Sequence, residues 1–176
     1  MWFPKLVLVV AVASVSTGTA IAVDASKGKS VVAAPSADAG EGAAKDVVAA
    51  ADAIVAAFGR HDTKAYFASF DPEASFVFYD TAHRLNSRAE WEAEWSKWEK
   101  EDAFRVLSCI STDQRVQLLG DAAVFTHTVR TEVSTKQGKR TLNERETIVF
   151  YRRGGRWVAV HEHLSPQPEP QPPAKN

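Results

Sequence analysis

Cysteine is almost absent from this chain, since Cys109 is the only one among 176 residues. A single thiol excludes an intrachain disulfide and a cysteine-rich metal site, and its best interpretation is a small buried hydrophobe. The formal net charge is only −1, so no strongly basic face for nucleic acid is indicated. The chain has no glycine-rich phosphate loop, Ser-His-Asp order or Cys-His pair, so the usual signatures of nucleotide binding and nucleophilic catalysis are missing.

Long apolar runs are also scarce. The stretch Leu6–Val15, interrupted by Ser14, falls short of the roughly 20 residues that a membrane span needs. It follows Lys5 and precedes Ala20-Ile21-Ala22, which fits the small-x-small rule for cleavage. Residues 1–22 are therefore predicted to be a secretory signal peptide. The mature protein would be periplasmic or secreted, without membrane contact after cleavage, and removal of Lys5 would change its net charge from −1 to −2.

Composition divides the rest of the chain into three parts. Residues 23–43 are rich in alanine, glycine, serine and lysine without a hydrophobic period, which predicts a flexible linker. Residues 166–176 contain five prolines and are predicted to be a disordered proline-rich tail. The remaining residues 44–165 have the usual size of one domain with its own core.

The helices are predicted from apolar spacing and capping residues. Ala44–Phe58 carries an apolar stripe at helical spacing and is followed by Gly59. Lys64–Phe70 is a short helix that Asp62 or Thr63 can cap. A third helix begins after Ser87, with Glu90 completing a capping box, and runs to Lys100. One face of that helix presents three tryptophans, Trp91, Trp95 and Trp98.

The strands are predicted from aromatic and β-branched runs between turns. Ser75–Tyr79 is a strand with Thr81–Leu85 as its hairpin partner. Four longer segments follow the third helix as antiparallel strands: Phe104–Leu118, Ala122–Ser134, Arg140–Arg152 and Trp157–Leu164. The last strand carries His161 and His163, two residues apart and therefore on one face.

This order of elements, with Arg145-Glu146-Thr147 followed by Trp157 and by His161-Glu162-His163-Leu164-Ser165, resembles the SnoaL-like branch of the nuclear transport factor 2-like superfamily. The resemblance covers Ala44–Ser165. It implies an α+β fold in which a cone-shaped, strongly bent antiparallel sheet wraps around three N-terminal helices. It also implies a cavity at the wide end and a homodimer through the sheet. The Tyr/Asp arrangement of ketosteroid isomerase, which shares the fold, is not recognisable here, so its reaction cannot be carried over.

Two turns are possible between the last two strands. A two-residue Gly154-Gly155 turn would pair Arg152 with Trp157, whereas a turn with a bulge at Gly155 would pair Arg152 with Arg156. The bulged turn is favoured because it separates a polar from an aliphatic cluster. Arg145 would then lie opposite His163, and Thr147 opposite His161. A slip of one residue would exchange the two faces.

The polar cluster predicts a binding site for an anionic or carbonyl-containing small molecule. His163 and Arg145 are the candidate catalytic pair, a proton-moving imidazole beside a cation that receives an oxyanion, and Asp80 is a further candidate base. Structural hydrogen bonding is the competing explanation for these residues, and core packing competes for the tryptophans. Nothing in the spacing requires a metal or a cofactor. The residues predicted to line the pocket are Tyr79, Trp91, Trp95, Trp98, His127, Asn143, Thr147, His161 and Ser165.

Three functions remain open. The domain could bind a small molecule without catalysis, act as a cofactor-free isomerase, lyase or hydrolase with a histidine base, or serve as a scaffold with a filled cone. The sequence leaves open whether it is an enzyme. The homodimer would bury an apolar patch formed by Ile148, Phe150, Val158 and Val160.

Overall fold

Three helices and five strands make up residues 37–168, the part of the chain that the computed structural model describes. The predicted signal peptide, the linker up to residue 36 and the tail from residue 169 lie outside this part and stay predictions. The elements in order are α1 Ala37–Gly59, α2 Thr63–Ala68, β1 Phe70–Phe78, α3 Arg88–Asp102, β2 Arg105–Leu119, β3 Ala122–Thr135, β4 Gly138–Arg153 and β5 Arg156–Pro166. Within residues 37–168, no helix is long and apolar enough to cross a membrane.

The first helix begins at Ala37, earlier than the predicted Ala44, and so includes part of the predicted linker. This segment is rich in alanine, the best helix former, and Glu41 pairs with Lys45 at 2.7 Å one turn away. The helix ends at Gly59, where an added Cβ would lie 2.9 Å from the backbone nitrogen of Cys109 on β2. Glycine therefore lets the helix end and the sheet approach each other closely.

The two shorter helices have the predicted caps. The Asp62 side chain accepts a hydrogen bond from the N–H of Ala65 at the start of α2. The Ser87 hydroxyl accepts one from the N–H of Glu90 at the start of α3, and the Glu90 carboxylate accepts from the N–H of Asn86. These reciprocal bonds position α3, whose tryptophans face the sheet.

The sheet has the order β1-β5-β4-β3-β2 and curls around the helices without closing. The predicted α+β cone is thereby confirmed, with one difference in pairing. Thr81–Leu85 does not form a strand, and only one antiparallel bridge joins Leu85 to Phe76. β1 instead pairs in parallel with β5, and the long crossover connection between these two strands consists of α3 and strands β2 to β4.

The turn between β4 and β5 corrects the favoured register. Arg152 pairs with Trp157, so the two-residue Gly154-Gly155 turn is present, and both glycines have positive φ of 56° and 78°. A bulge lies further along, at Val160, between the pairs Phe150–Ala159 and Val149–His161. Beyond it, Thr147 lies opposite His163 and Arg145 opposite Ser165.

Inside and outside are reversed relative to the prediction. The bulge leaves the predicted polar residues together on one face, but this face points away from the helices. Ile148 and Phe150 have no solvent exposure and belong to the hydrophobic core with Val47, Phe76 and Trp95. The predicted dimer patch is therefore wrong for Ile148 and Phe150, because the apolar face of β4 is the face that packs on the helices.

Candidate active site

A partly open cavity of about 260 Å³ lies between the concave face of the sheet and α3. Helices, β1 and the three long strands β3 to β5 all contribute to it. Its lining combines aromatic, acidic and a few aliphatic side chains: Phe58, Tyr66, Phe78, Asp80, Trp91, Trp95, Trp98, Asp102, Phe104, Thr131, Val133, Thr135, Arg140, Leu142, Glu144, Glu162 and Leu164. A smaller adjoining space of about 40 Å³ shares six of these residues and adds Glu146.

The tryptophan face of α3 forms one wall of this cavity. The ring centroids of Trp91 and Trp95 are 5.5 Å apart, and those of Trp91 and Trp98 are 5.1 Å apart, in edge-to-face packing. Phe104 extends the wall with its centroid 5.3 Å from that of Trp95. Because each ring packs against its neighbours, the wall is held in place without help from a ligand.

Three glutamates from the last two strands form the opposite, inner side. Glu144 and Glu146 are two residues apart on β4, and Glu162 lies beside them on β5. Their exposed fractions are only 4%, 8% and 5%. Charged groups are rarely this buried without partners, so their hydrogen bonds define the chemistry of the site.

Glu162 is the centre of a buried hydrogen-bonded chain. The hydroxyl of Tyr66 donates to Oε2 of Glu162 at 3.1 Å, and Nε1 of Trp91 donates to that hydroxyl at 3.2 Å. Glu146 lies close enough for its charge to act on Glu162. Burial, and then the charge of Glu146, raise the pKa of Glu162 well above its usual value, while burial raises the pKa of Glu146 to about 7. Both pKa shifts favour the protonated form, so this buried pair resists carrying two negative charges.

His127 lies next to Glu146, one member of this pair. Its Nε2 lies 2.7 Å from Oε2 of Glu146, although the approach falls outside hydrogen-bond geometry, and its Nδ1 lies 2.7 Å from the hydroxyl of Ser111. Burial lowers the pKa of His127 to about 4, so the imidazole is neutral at pH 7. The imidazole ring thus lies between Glu146 and Ser111.

Glu144 sits in a different environment, nearer the rim. Its Oε1 accepts a hydrogen bond of 2.7 Å from the hydroxyl of Tyr79, a side chain that is 47% exposed. Burial raises the pKa of Glu144, and the hydrogen bond from Tyr79 opposes that rise. Burial also raises the pKa of Asp80, whereas the charge of Arg140 lowers it. Of these two carboxylates, Asp80 is the one on which the guanidinium of Arg140 acts.

The predicted site residues separate into two groups. Trp91, Trp95, Trp98 and Asp80 line the cavity. Tyr79 reaches it through Glu144, and His127 reaches it through Glu146.

The second group lies on the other face of the sheet, so its predicted place in the cavity is corrected. Arg145 and His163 are exposed there. His161 is half-buried, with its Nδ1 2.9 Å from the hydroxyl of Ser75 on β1. Asn143, Thr147 and Ser165 share this outer face because side chains alternate along a strand.

Glu144, Glu146, Glu162, Tyr66 and Arg140 are the site residues that the sequence reasoning missed. A signal for the first two was present, because Glu144 and Glu146 have the same parity on β4 as Ile148 and Phe150. Burying the aliphatic residues under the helices brings the glutamates inside with them. Tyr66 had no such signal, since a tyrosine in a short helix is most often a core residue. Among the described residues, no group of histidines, cysteines or acids is arranged to hold a metal ion.

Comparison with known families agrees with this architecture. The family model of the SnoaL-like domain matches residues 47–169. The chain belongs to the SnoaL-like domain family. No curated protein matches it.

Solved structures extend the likeness to the wider superfamily. A nuclear transport factor 2-like superfamily protein from Salmonella enterica is 13% identical with a TM-score of 0.64, covering 78% of this chain and 100% of that one. A protein of the same family from Streptomyces avermitilis, whose name suggests a dehydratase, is 20% identical with a TM-score of 0.59, covering 74% and 99%. A protein from Pseudomonas putida of unknown function is 17% identical with a TM-score of 0.61, covering 71% and 87%. At these identities, the SnoaL-like domain shares the fold with them, and the fold alone.

Proposed function

We propose that this SnoaL-like domain binds a small molecule in the aromatic-walled cavity. The observation that supports this most is the open volume of about 260 Å³ between the tryptophan wall and the buried glutamates. Cavities with apolar walls and a few convergent polar groups are the usual form of small-molecule sites. A scaffold with a filled cone, the third possibility from sequence, receives no support from this volume.

The lining changes the kind of ligand that we expect. The sequence favoured an anionic or carbonyl-containing molecule beside Arg145, which is on the outer face. The cavity itself carries Asp80, Asp102, Glu144 and Glu162 against Arg140, and these acids would repel an anion. We therefore keep the carbonyl-containing ligand and replace the anion with an uncharged or positively charged molecule.

Binding can be tested with PRODAN, an uncharged fluorescent naphthyl ketone. We expect its emission to rise and shift when it enters the cavity, and the tryptophan emission to fall. Leu164→Trp fills the cavity from β5 and should reduce affinity at least about tenfold, whereas His163→Trp adds the same ring to the outer face and should not. Equal affinity in the two variants would mean that the dye binds elsewhere and would contradict the proposal.

Proton transfer is the second candidate function, and the raised pKa values of the buried Glu146 and Glu162 favour it. Two carboxyls whose environments separate their pKa values can serve as acid and base. Glu144, nearer the rim, would take a proton from the carbon beside a ligand carbonyl. The buried pair would hold and return a proton, with His127 and Ser111 behind it. This hypothesis replaces the predicted His163 base and Arg145 clamp with residues on the cavity side of the sheet.

The test is deuterium exchange into β-tetralone, a bicyclic ketone with acidic protons beside its carbonyl, followed by NMR in heavy water. We expect exchange above the buffer rate. Glu144→Gln should slow the protein-dependent part about 100-fold or more, and Arg145→Ala, the adjacent residue on the outer face, should leave it unchanged. Exchange that survives Glu144→Gln would remove Glu144 from the mechanism.

We also propose that the mature protein is exported and forms a homodimer through the outer face of the sheet. The signal-like residues 1–22 support export, and N-terminal sequencing of envelope or medium fractions should give a start near Val23. Val149 and Tyr151 lie on the outer face of β4 beside Val158 of β5, and they replace Ile148 and Phe150 in the predicted patch. Light scattering at micromolar concentration should give twice the chain mass, and Tyr151→Lys should lower it.

A further inference from the structure

We propose that the cavity selects an organic cation, a quaternary ammonium or protonated amine, over uncharged and anionic molecules of the same shape. This inference deepens the proposed function and rests on it, because it concerns the ligand of the same cavity. A cationic nitrogen and the expected carbonyl group can occur in one molecule.

The first argument is the balance of charge around the cavity. Its lining carries four acids, Asp80, Asp102, Glu144 and Glu162, against the single base Arg140. With Glu162 protonated, three acids still face one base. The interior of a curled sheet concentrates this negative potential because its walls have a low dielectric constant. A positive ligand would gain from that potential, and a negative one would be repelled.

Arg140 does not supply an anion site that would reverse this balance. Its charge acts on Asp80 and on Tyr79, at the same rim. The nearby charge of Asp80 neutralises that of Arg140 in part, so Arg140 attracts an anion less than an isolated cation would. Glu144 is left with one neutral donor, the hydroxyl of Tyr79, at 2.7 Å. Its burial is therefore not compensated by a positive side chain at hydrogen-bond distance.

The second argument, independent of the acids, is the composition of the wall. Seven of the 17 lining residues are aromatic, and three of these are tryptophans. Aromatic faces attract cations, tryptophan most strongly, with about 0.5–2 kcal/mol per contact. A wall of purely aliphatic residues would serve an uncharged ligand as well. Aromatic rings beside a buried carboxylate without a cationic partner, Glu144, are the combination that discriminates in favour of an alkylated nitrogen.

Three molecules of nearly one shape provide the test. Choline carries the positive charge, and dimethylbutanol replaces its nitrogen with carbon. The tert-butylacetate anion keeps this uncharged branched head and carries its negative charge on a carboxylate at the other end. Titration at pH 8, followed by tryptophan fluorescence and by ligand NMR, should show that choline binds at least about tenfold more tightly than the alcohol. Tert-butylacetate should bind more weakly than either.

Charge-removing variants locate the effect. Asp80→Asn and Glu144→Gln keep the shape of the side chain and should each weaken choline at least about threefold while leaving the alcohol unchanged. Glu132→Gln, on the outward-facing side of β3, is the matched control and should change neither. Loss of choline selectivity in Glu132→Gln would show that only the overall charge matters.

The outcomes separate this inference from the proposed function. If PRODAN binds and choline shows no advantage over the alcohol, or does not bind, the selection of a cation is overturned and the binding cavity remains. If tert-butylacetate binds most tightly, the charge argument is reversed. If neither PRODAN nor any of the three molecules binds, the proposed function itself fails.

Discussion

The two faces of β4 and β5 carry polar residues in alternation, yet the two sets have opposite physical situations. Glu144, Glu146 and Glu162 point inward and are almost fully buried, and Glu144 and Glu162 each accept a hydrogen bond from a tyrosine. Arg145 and His163 point outward and are exposed. The outer set attracted the functional interpretation, whereas the inner set has the perturbed chemistry. Polar residues at strand positions that point to the same face as the core residues are therefore the stronger candidates for a functional site.

The largest expected effect comes from the core members of the inner face. Ile148→Ala should lower the free energy of unfolding by about 2–5 kcal/mol, because it leaves a cavity under the helices at a site with no solvent exposure. Thr147→Ala, at the neighbouring position on the outer face, should cost about 1 kcal/mol or less. Urea denaturation of both variants measures the difference. Equal losses would mean that the two faces are buried alike and would break the comparison.

A smaller effect should appear in the pH dependence of stability. Burial raises the pKa of Glu146 from its ordinary 4.5 to about 7 and that of Glu162 well above 4.5. The unfolded chain releases these protons at lower pH than the folded protein, so stability falls as the pH rises from about 4.5 through 7. His127, whose pKa burial lowers from 6.5 to about 4, acts in the opposite sense and costs stability as the pH falls below 6.5.

Glu162→Gln removes one of these ionisations while keeping the shape and an acceptor for Tyr66. We expect the variant to be more stable than the parent by about 1–3 kcal/mol at pH 8 and to differ little at pH 5. Denaturation curves at both pH values provide the measurement. His163→Gln on the same strand is the control, since an exposed side chain changes its surroundings little on folding. A Glu162→Gln advantage that is equal at both pH values would show that ionisation is not its cause.

Much of the fold was predictable because it depends on local signals. The apolar stripe of α1, the cap at Ser87 and the tryptophan spacing of α3 each identify an element from a short window, and the family resemblance supplied the cone. The turn at Gly154-Gly155 was open to two solutions, and the bulge at Val160 has no signal in the surrounding residues. Parallel pairing of β1 with β5 joins residues about 90 positions apart, so local patterns could not indicate it.

The site was harder to predict because burial decides its chemistry. A glutamate beside a core position looks like a solvated charge until the register places it inside. His161 and His163 looked like members of one site because of their spacing, which is a property of any strand. The tryptophans and Asp80 were recognised as candidates, but the group that they face, Glu162 with Tyr66, is assembled from segments 96 positions apart.

The smallest expected effect is the sharpest test of the comparison. Arg145→Ala and His163→Ala should change the affinity for PRODAN by less than about twofold, because both side chains lie on the outer face and the sheet separates them from the cavity. Leu164→Trp, at a position that lines the cavity, should reduce that affinity at least about tenfold. Both alanine variants must keep the denaturation midpoint of the parent, so that a loss of folding is not read as a loss of binding. A tenfold loss in either variant, with stability intact, would contradict this separation of the two faces. It would return His163 or Arg145 to the binding site, because an exposed residue on the far side of the sheet cannot contact a ligand in the cavity.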